Sequence, residues 1–361
     1  MKSFASDNYA SAHPDVLVAM QEANDGHAPA YGADPWTARA REILKGHFGS
    51  QSESHLVFNG SGANVVCLRL ACRPGATAAI CAAGAHVNVD EGGALEQVGQ
   101  IKLLAIPTSD GKLTPDLVAT QLTRLGDEHA AQPSVVTITQ STELGTRYTP
   151  TEIAALADTA HTHGLRLHVD GSRLANAAAG LNTSLTAITV DVGVDLLSLG
   201  GTKNGMVLGE AVVVLDPTLA DGARYVRKQT LQLASKGRFM AAQFIAMFEG
   251  DLWRRNAAHA NAMATRLAER LGRVPAITIT QSVQANGVFA IVPPAAADPV
   301  RPRWPFYTWD DATGEVRLMC SWDTTADEVD EPRNRRVDYI LALEEPVFKS
   351  SGARPTWYRV P

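Results

Sequence analysis

Short apolar runs recur along the chain and alternate with Ala/Leu-rich segments whose apolar residues return at helical spacing. Six of the runs read as strands: Ala78 to Cys81, Lys102 to Ala105, Val135 to Thr139, Arg166 to Val169, Leu196 to Leu199 and Ala211 to Leu215. Strands separated by helical segments are the pattern of βαβ units on a mostly parallel sheet flanked by helices, so the fold class is α/β. One crossover is fully punctuated, with Thr149 as N-cap, Pro150 at the first helical position and Gly164 as C-cap. A long Ala-rich stretch from Ala241 to Leu271 predicts a single helix leading into a second unit. That unit has strand candidates at Ala276 to Gln281, Gly287 to Val292 and Val316 to Cys320. With 361 residues the chain exceeds one small core. The expected division is a large unit over residues 1–250 and a smaller α+β unit over 251–361.

Composition and charge narrow the function. A net charge of −6 without long basic runs offers no stripe for a phosphodiester backbone, so nucleic acid is not the expected partner. No uninterrupted apolar run of about 18 residues occurs, and the N-terminus lacks an apolar leader core, so no membrane partner and a cytoplasmic protein are expected. Cys67, Cys72, Cys81 and Cys320 show neither CxxC nor zinc spacing and read as buried free thiols, with no metal site. A nicotinamide site is not expected, because no strand-turn-helix GxGxxG with a downstream acid is present.

Four phrases carry candidate chemistry. In Ser198-Leu-Gly-Gly-Thr-Lys203-Asn-Gly a lysine follows a strand end among small residues, where a planar ligand can approach the backbone. A lysine amine becomes nucleophilic at neutral pH only when desolvation or a cationic neighbour lowers its pKa. In His168-Val-Asp170-Gly-Ser-Arg173 an acid stands where an apolar strand runs out, the edge that faces the ligand crevice in open α/β sheets. In Asn59-Gly60-Ser61-Gly-Ala-Asn64 a Gly/Ser turn opens an apolar helix, and the amides of such a start suit a phosphate. His86 lies between these phrases, and an imidazole can both stack on a flat ring and exchange a proton near neutral pH. Each phrase alone has an ordinary structural reading as an exposed lysine, a loop acid, a turn or a hydrogen-bonded histidine.

In this order the phrases resemble the pyridoxal 5'-phosphate (PLP) enzymes of fold type I, and in particular the low-specificity L-threonine aldolases. The likeness covers nearly the whole chain, including Phe4-Ala-Ser6-Asp-Asn-Tyr, Tyr31-Gly, Lys112-Leu-Thr-Pro115, Thr139-Gln-Ser-Thr-Glu-Leu-Gly145, Gln232-Leu-Ala-Ser-Lys236, Ala285-Asn-Gly-Val-Phe289 and Arg317-Leu-Met-Cys-Ser-Trp-Asp323. The resemblance implies a fold-type I architecture, a Schiff-base lysine at Lys203, a pyridinium partner at Asp170 and ring stacking by His86. It implies phosphate binding by Gly60 and Ser61, with Lys228 reaching from a neighbouring subunit. Arg173 corresponds to an arginine near the cofactor hydroxyl and the substrate carboxylate, Ser6 and Arg317 to residues that grip that carboxylate, and Tyr31 to one projecting into the partner's site. The implied reaction is reversible cleavage of L-threonine, L-allo-threonine or another β-hydroxy-α-amino acid to glycine and an aldehyde, in a homodimer or homotetramer.

The base for the β-hydroxyl is open between His86, His129 and an activated water, while His161, His163 and His168 read as structural. Two other readings stand beside the aldolase: β-elimination or transamination on the same cofactor, and a catalytically silent PLP-binding protein. The chain departs from the family pattern after Asp330, where Glu331-Pro-Arg-Asn-Arg-Arg336 interrupts an expected C-terminal helix and the tail to Pro361 has no counterpart.

Overall fold

The computed structural model describes residues 2–330. The irregular tail noted in the sequence lies outside the described residues.

Seven strands form the first sheet: β1 (Glu53–Val57), β2 (Ala78–Ala82), β3 (Lys102–Ile106), β4 (Pro133–Thr139), β5 (Arg166–Gly171), β6 (Leu196–Leu199) and β7 (Glu210–Val214). Their order is β1-β7-β6-β5-β4-β2-β3, and β2 to β6 pair in parallel whereas β7 runs antiparallel to both neighbours. The strands β2, β4, β6 and β7 are buried along their whole length, as expected for a sheet covered by helices on both faces. All six strands read from apolar runs are present, with ends that move by at most two residues.

Register decides what reaches the crevice. Thr139 pairs with Asp170 and Asp170 with Ser198, so β4, β5 and β6 end side by side. Because β7 is antiparallel, its first residue, Glu210, arrives at that same edge. β1 was not predicted: its start, Glu-Ser-His, is polar, and only pairing with the apolar β7 makes it a strand.

Local signals hold the crossovers. The helix Pro150–Thr162 has a complete capping box between Thr149 and Glu152, and Gly164 follows it at φ +70°, a left-handed conformation that glycine adopts without steric cost. The long helix expected from 241 to 271 is two helices, Arg238–Phe248 and Leu252–Leu271. Gly250 and Asp251, poor helix-interior residues, sit at the break, and Phe248 stacks on Trp253 across it with centroids 6.2 Å apart.

The second sheet is antiparallel, in the order β10-β11-β9-β8, with β8 (Thr278–Ile279), β9 (Gly287–Ile291), β10 (Tyr307–Asp310) and β11 (Glu315–Met319). The strand expected over 276–281 shrinks to two residues, and β10, an exposed edge strand, was not predicted. A second apolar core packs beneath this sheet from the C-terminal half of the helix Leu252–Leu271, Val288, Ala290 and Val316. Phe4 belongs to this core, and its backbone bonds to Pro305 and Met319. The N-terminal segment thereby lies across the second unit and returns to the crevice at Asp7. No helix among the described residues is long and apolar enough to cross a membrane.

Candidate active site

A cavity of about 280 Å³ opens at the shared strand edge, lined by Gly60, Ser61, His86, Asp170, Ser172, Lys203 and Glu210 among others. Of the residues singled out in the sequence, Gly60, Ser61, His86, Asp170 and Lys203 therefore meet around one space.

Lys203 sits in the short turn Thr202–Asn204 after β6. Burial pushes its amine below the ordinary lysine value, and the Arg173 guanidinium pushes the same way against Asp7, Asp170 and Glu210. Glu210 holds the turn by accepting the Gly201 amide at 2.6 Å, and burial raises its own carboxyl. Gly200 lets the turn lie against the loop after β5: a Cβ there would stand 2.5 Å from the Ser172 carbonyl oxygen.

Asp170 ends β5. Burial works to raise its carboxyl, but the Lys203 ammonium, the Asn64 amide at 2.9 Å and the Ser172 backbone N–H at 3.0 Å together hold it below the ordinary value. It is an ionised, buried carboxylate beside a buried lysine.

The helix Gly60–Ala71 begins at the cavity wall, capped by Asn59 Oδ1, which accepts the Gly62 amide at 2.8 Å. The amides of Gly60 and Ser61 have no acceptor within the helix, so they and the helix dipole favour an anion.

Arg173 is not open to the cavity on both edges. Its Nε and one Nη donate to the two Asp7 oxygens at 2.7 and 2.9 Å, and Asn286 donates to Asp7 Oδ2 at 3.0 Å. Burial alone would raise Asp7, yet this pairing holds it at about 2. Ser6, just before Asp7, accepts the Asn8 amide at 3.2 Å. Arg317 lies on β11 with its guanidinium 4.7 Å from the Trp309 ring centroid and 5.5 Å from that of Tyr307. Burial lowers its pKa, Arg173 adds to the effect, and its Nε is buried with no hydrogen-bond partner.

Three predicted residues stand apart from this cluster. Tyr31 and Lys228 are exposed and adjacent, with the Lys228 amine 5.2 Å from the Tyr31 ring centroid. His129 is 81% exposed, in the loop leading to the opposite end of β4. The three histidines read as structural are each bonded: His161 to Asp195, His163 to the Thr159 carbonyl, and buried His168 to Thr137 and Ser198. All four cysteines are free, and three are buried while Cys72 is half-buried.

Sequence reasoning missed the acids around the site. Asp7, Glu91, Glu143 and Glu210 are polar residues inside or beside the matched phrases, but nothing in their spacing announces burial. Glu143 accepts the His86 backbone N–H and the Thr139 hydroxyl, both at 2.8 Å, and burial raises its carboxyl.

A mostly parallel sheet with an antiparallel β7, a small antiparallel sheet beside it, and a buried lysine–aspartate pair at the strand ends are the fold-type I architecture. Comparisons with known proteins agree. The β-eliminating lyase family model matches residues 3–293. The low specificity L-threonine aldolase of Pseudomonas aeruginosa is 43% identical over 332 residues, covering 91% of this chain and 95% of that protein. The protein of the same name from another Pseudomonas is 42% identical over 325 residues, covering 90% of this chain and 93% of its own. The solved structure of Leishmania major threonine aldolase superposes with a TM-score of 0.88 at 29% identity, covering 95% of this chain and 99% of that one. The chain belongs to the threonine aldolases of the β-eliminating lyase family, and it is a lyase.

Proposed function

We propose that the protein is a PLP-dependent aldolase that reversibly cleaves L-threonine, L-allo-threonine and other β-hydroxy-α-amino acids to glycine and an aldehyde such as acetaldehyde. The observation that carries this reading is the convergence on one cavity of a buried amine, an ionised buried carboxylate and the start of a helix. That donor set fits the cofactor group by group. Lys203 would hold its aldehyde carbon, Asp170 its ring nitrogen, and the Gly60 and Ser61 amides with the Ser61 hydroxyl its phosphate. His86 would stack on the ring. When bound, the pyridoxal group supplies an electron sink for the pair left by a broken bond at Cα.

The remaining work falls to side chains of this protein. Asp170, kept ionised, would hold a proton on the ring nitrogen of the bound group. Arg317 would take the substrate carboxylate in a two-point contact, with Ser6 and the free edge of Arg173 beside it. Holding the carboxylate would orient the substrate so that its Cα–Cβ bond is the one presented for cleavage. The β-hydroxyl proton must leave to a base, a step worth about 10²- to 10⁴-fold when the base is positioned. His86 lines the cavity of its own chain and suits this role, whereas His129 would serve only across a subunit contact.

The exposed pair Tyr31 and Lys228 supports an assembly in which each chain completes its neighbour's site, a homodimer or homotetramer, in the cytoplasm. Residues 1–250 and 251–361 would form its large and small units. Purified protein incubated with L-threonine or L-allo-threonine should release acetaldehyde in a PLP-dependent manner. Release of ammonia and a keto acid in its place would replace the aldolase reading with β-elimination.

A further inference from the structure

Behind the cavity wall a line of hydrogen-bonded side chains joins His86 to Asp170. His86 Nδ1 meets Glu91 Oε1 at 2.9 Å. Asn64 Nδ2 donates to that same oxygen at 2.8 Å and to Asp170 Oδ2 at 2.9 Å. The Glu91 side chain is 0% exposed, and its Oε2 is buried with no hydrogen-bond partner. An acid kept for stability alone would have both oxygens satisfied, because an unpaired buried polar atom costs roughly 1–3 kcal/mol. Glu91 instead commits one oxygen to His86, which lines the cavity, and to Asn64, which holds Asp170 on the cavity's other side.

Resting on the aldolase reading, we propose that Glu91 is a positioning residue that holds His86 through Nδ1 and leaves Nε2 bare to accept the proton of the substrate β-hydroxyl. Oε1 already accepts the Asn64 amide, so the ring nitrogen that faces it is a donor. A histidine donating from one nitrogen presents the other as an acceptor, and its partner fixes both tautomer and ring orientation. The backbone of His86 is fixed independently by Glu143, so the imidazole is held at two points. The charged groups that face it are Glu91, Asp170 and Lys203, with Glu143 at its backbone. Among the influences on its pKa the Glu91 bond is the largest and raises it, against burial and the Lys203 ammonium. Asn64 links this arrangement to Asp170, so the proton acceptor and the proposed ring-nitrogen partner are set by one connected network.

Two variants test the proposal: Glu91→Gln keeps an acceptor oxygen and the shape but loses the charge, and Glu91→Ala loses both. In cofactor-loaded enzyme with ¹⁵N-labelled histidine, the His86 signal, identified by its absence in His86→Asn, should show hydrogen on Nδ1 only. Glu91→Ala should show a mixture of tautomers and a kcat for L-threonine cleavage lower by about tenfold or more. Glu91→Gln should keep the tautomer while the acid limb of kcat/KM moves to lower pH, because an imidazole without the carboxylate releases its proton more readily. Hydrogen on Nε2 in the native enzyme, or variants that bind PLP normally with an unchanged tautomer and acid limb, would overturn the proposal. Failure of the native enzyme to release aldehyde would defeat the aldolase reading instead, and the histidine spectrum would still decide whether Glu91 sets the tautomer.

Discussion

Replacing Asp7 by asparagine removes one charge from a buried pair and leaves the shape intact. Arg173 keeps its charge but loses the carboxylate that takes two of its donors, and Asn286 loses a charged acceptor. The fall of the Asp7 pKa from 3.8 to about 2 corresponds to roughly 2 kcal/mol of stability, at about 1.4 kcal/mol per pH unit. Removing one partner of a buried pair costs about 3–5 kcal/mol, because the other charge stays behind. An asparagine oxygen can still accept one of the arginine hydrogens, so the expected cost is about 2–3 kcal/mol. With a urea slope of about 3 kcal/mol/M, the unfolding midpoint should fall by ~0.7–1 M at pH 7 and fixed protein concentration. The sign with pH follows from the lowered carboxyl. Its contribution is complete above the unfolded value of 3.8 and is lost as pH falls through about 2. The gap between native and variant midpoints should therefore hold from pH 8 to pH 5 and close only below pH 4. An unchanged midpoint at pH 7, or a gap that closes between pH 7 and pH 5, would refute the account of this pair.

Lys203→Ala should lose PLP absorbance on gel filtration along with turnover, and an active variant would remove the lysine from its proposed role. Gly200→Ala places a Cβ 2.5 Å from the backbone of Ser172, which cannot swing aside, so the turn bearing Lys203 must shift. A cost of about 1–3 kcal/mol in urea unfolding and weaker PLP retention are expected, and native-like values for both would contradict the close approach. Thr149→Ala breaks a capping box that does not line the cavity and should cost ~1 kcal/mol with kcat unchanged.

Much of the fold was legible because the inner strands are buried on both faces and so are nearly all apolar, as in Val135–Ile138 of the parallel β4 and Ala211–Val214 of the antiparallel β7. The crossover after β4 was legible because Thr149, Pro150 and Gly164 each act over only a few residues. Segments whose structure depends on distant partners were not. β1 is a strand through its pairing with β7, more than 150 residues further on, and β10 through its pairing with β11. The break at Gly250 is hidden in an otherwise uniform helical pattern and is secured by Phe248 against Trp253.

The same division runs through the site. The sequence by itself determined the α/β class, the family, and the phrases that place a lysine, an acid and a helix start at strand ends, since each is a local arrangement of strand, turn and small residues. Only the tertiary structure decided which acids are buried and what they hold. Asp7 meets Arg173 because the N-terminal segment crosses the second core, and Glu91, in the turn after His86, meets Asn64 on the helix Gly60–Ala71, 27 residues away in the chain. Desolvation and the pairing with Arg173 set the ionisation of Asp7, and neither is encoded by spacing along the chain.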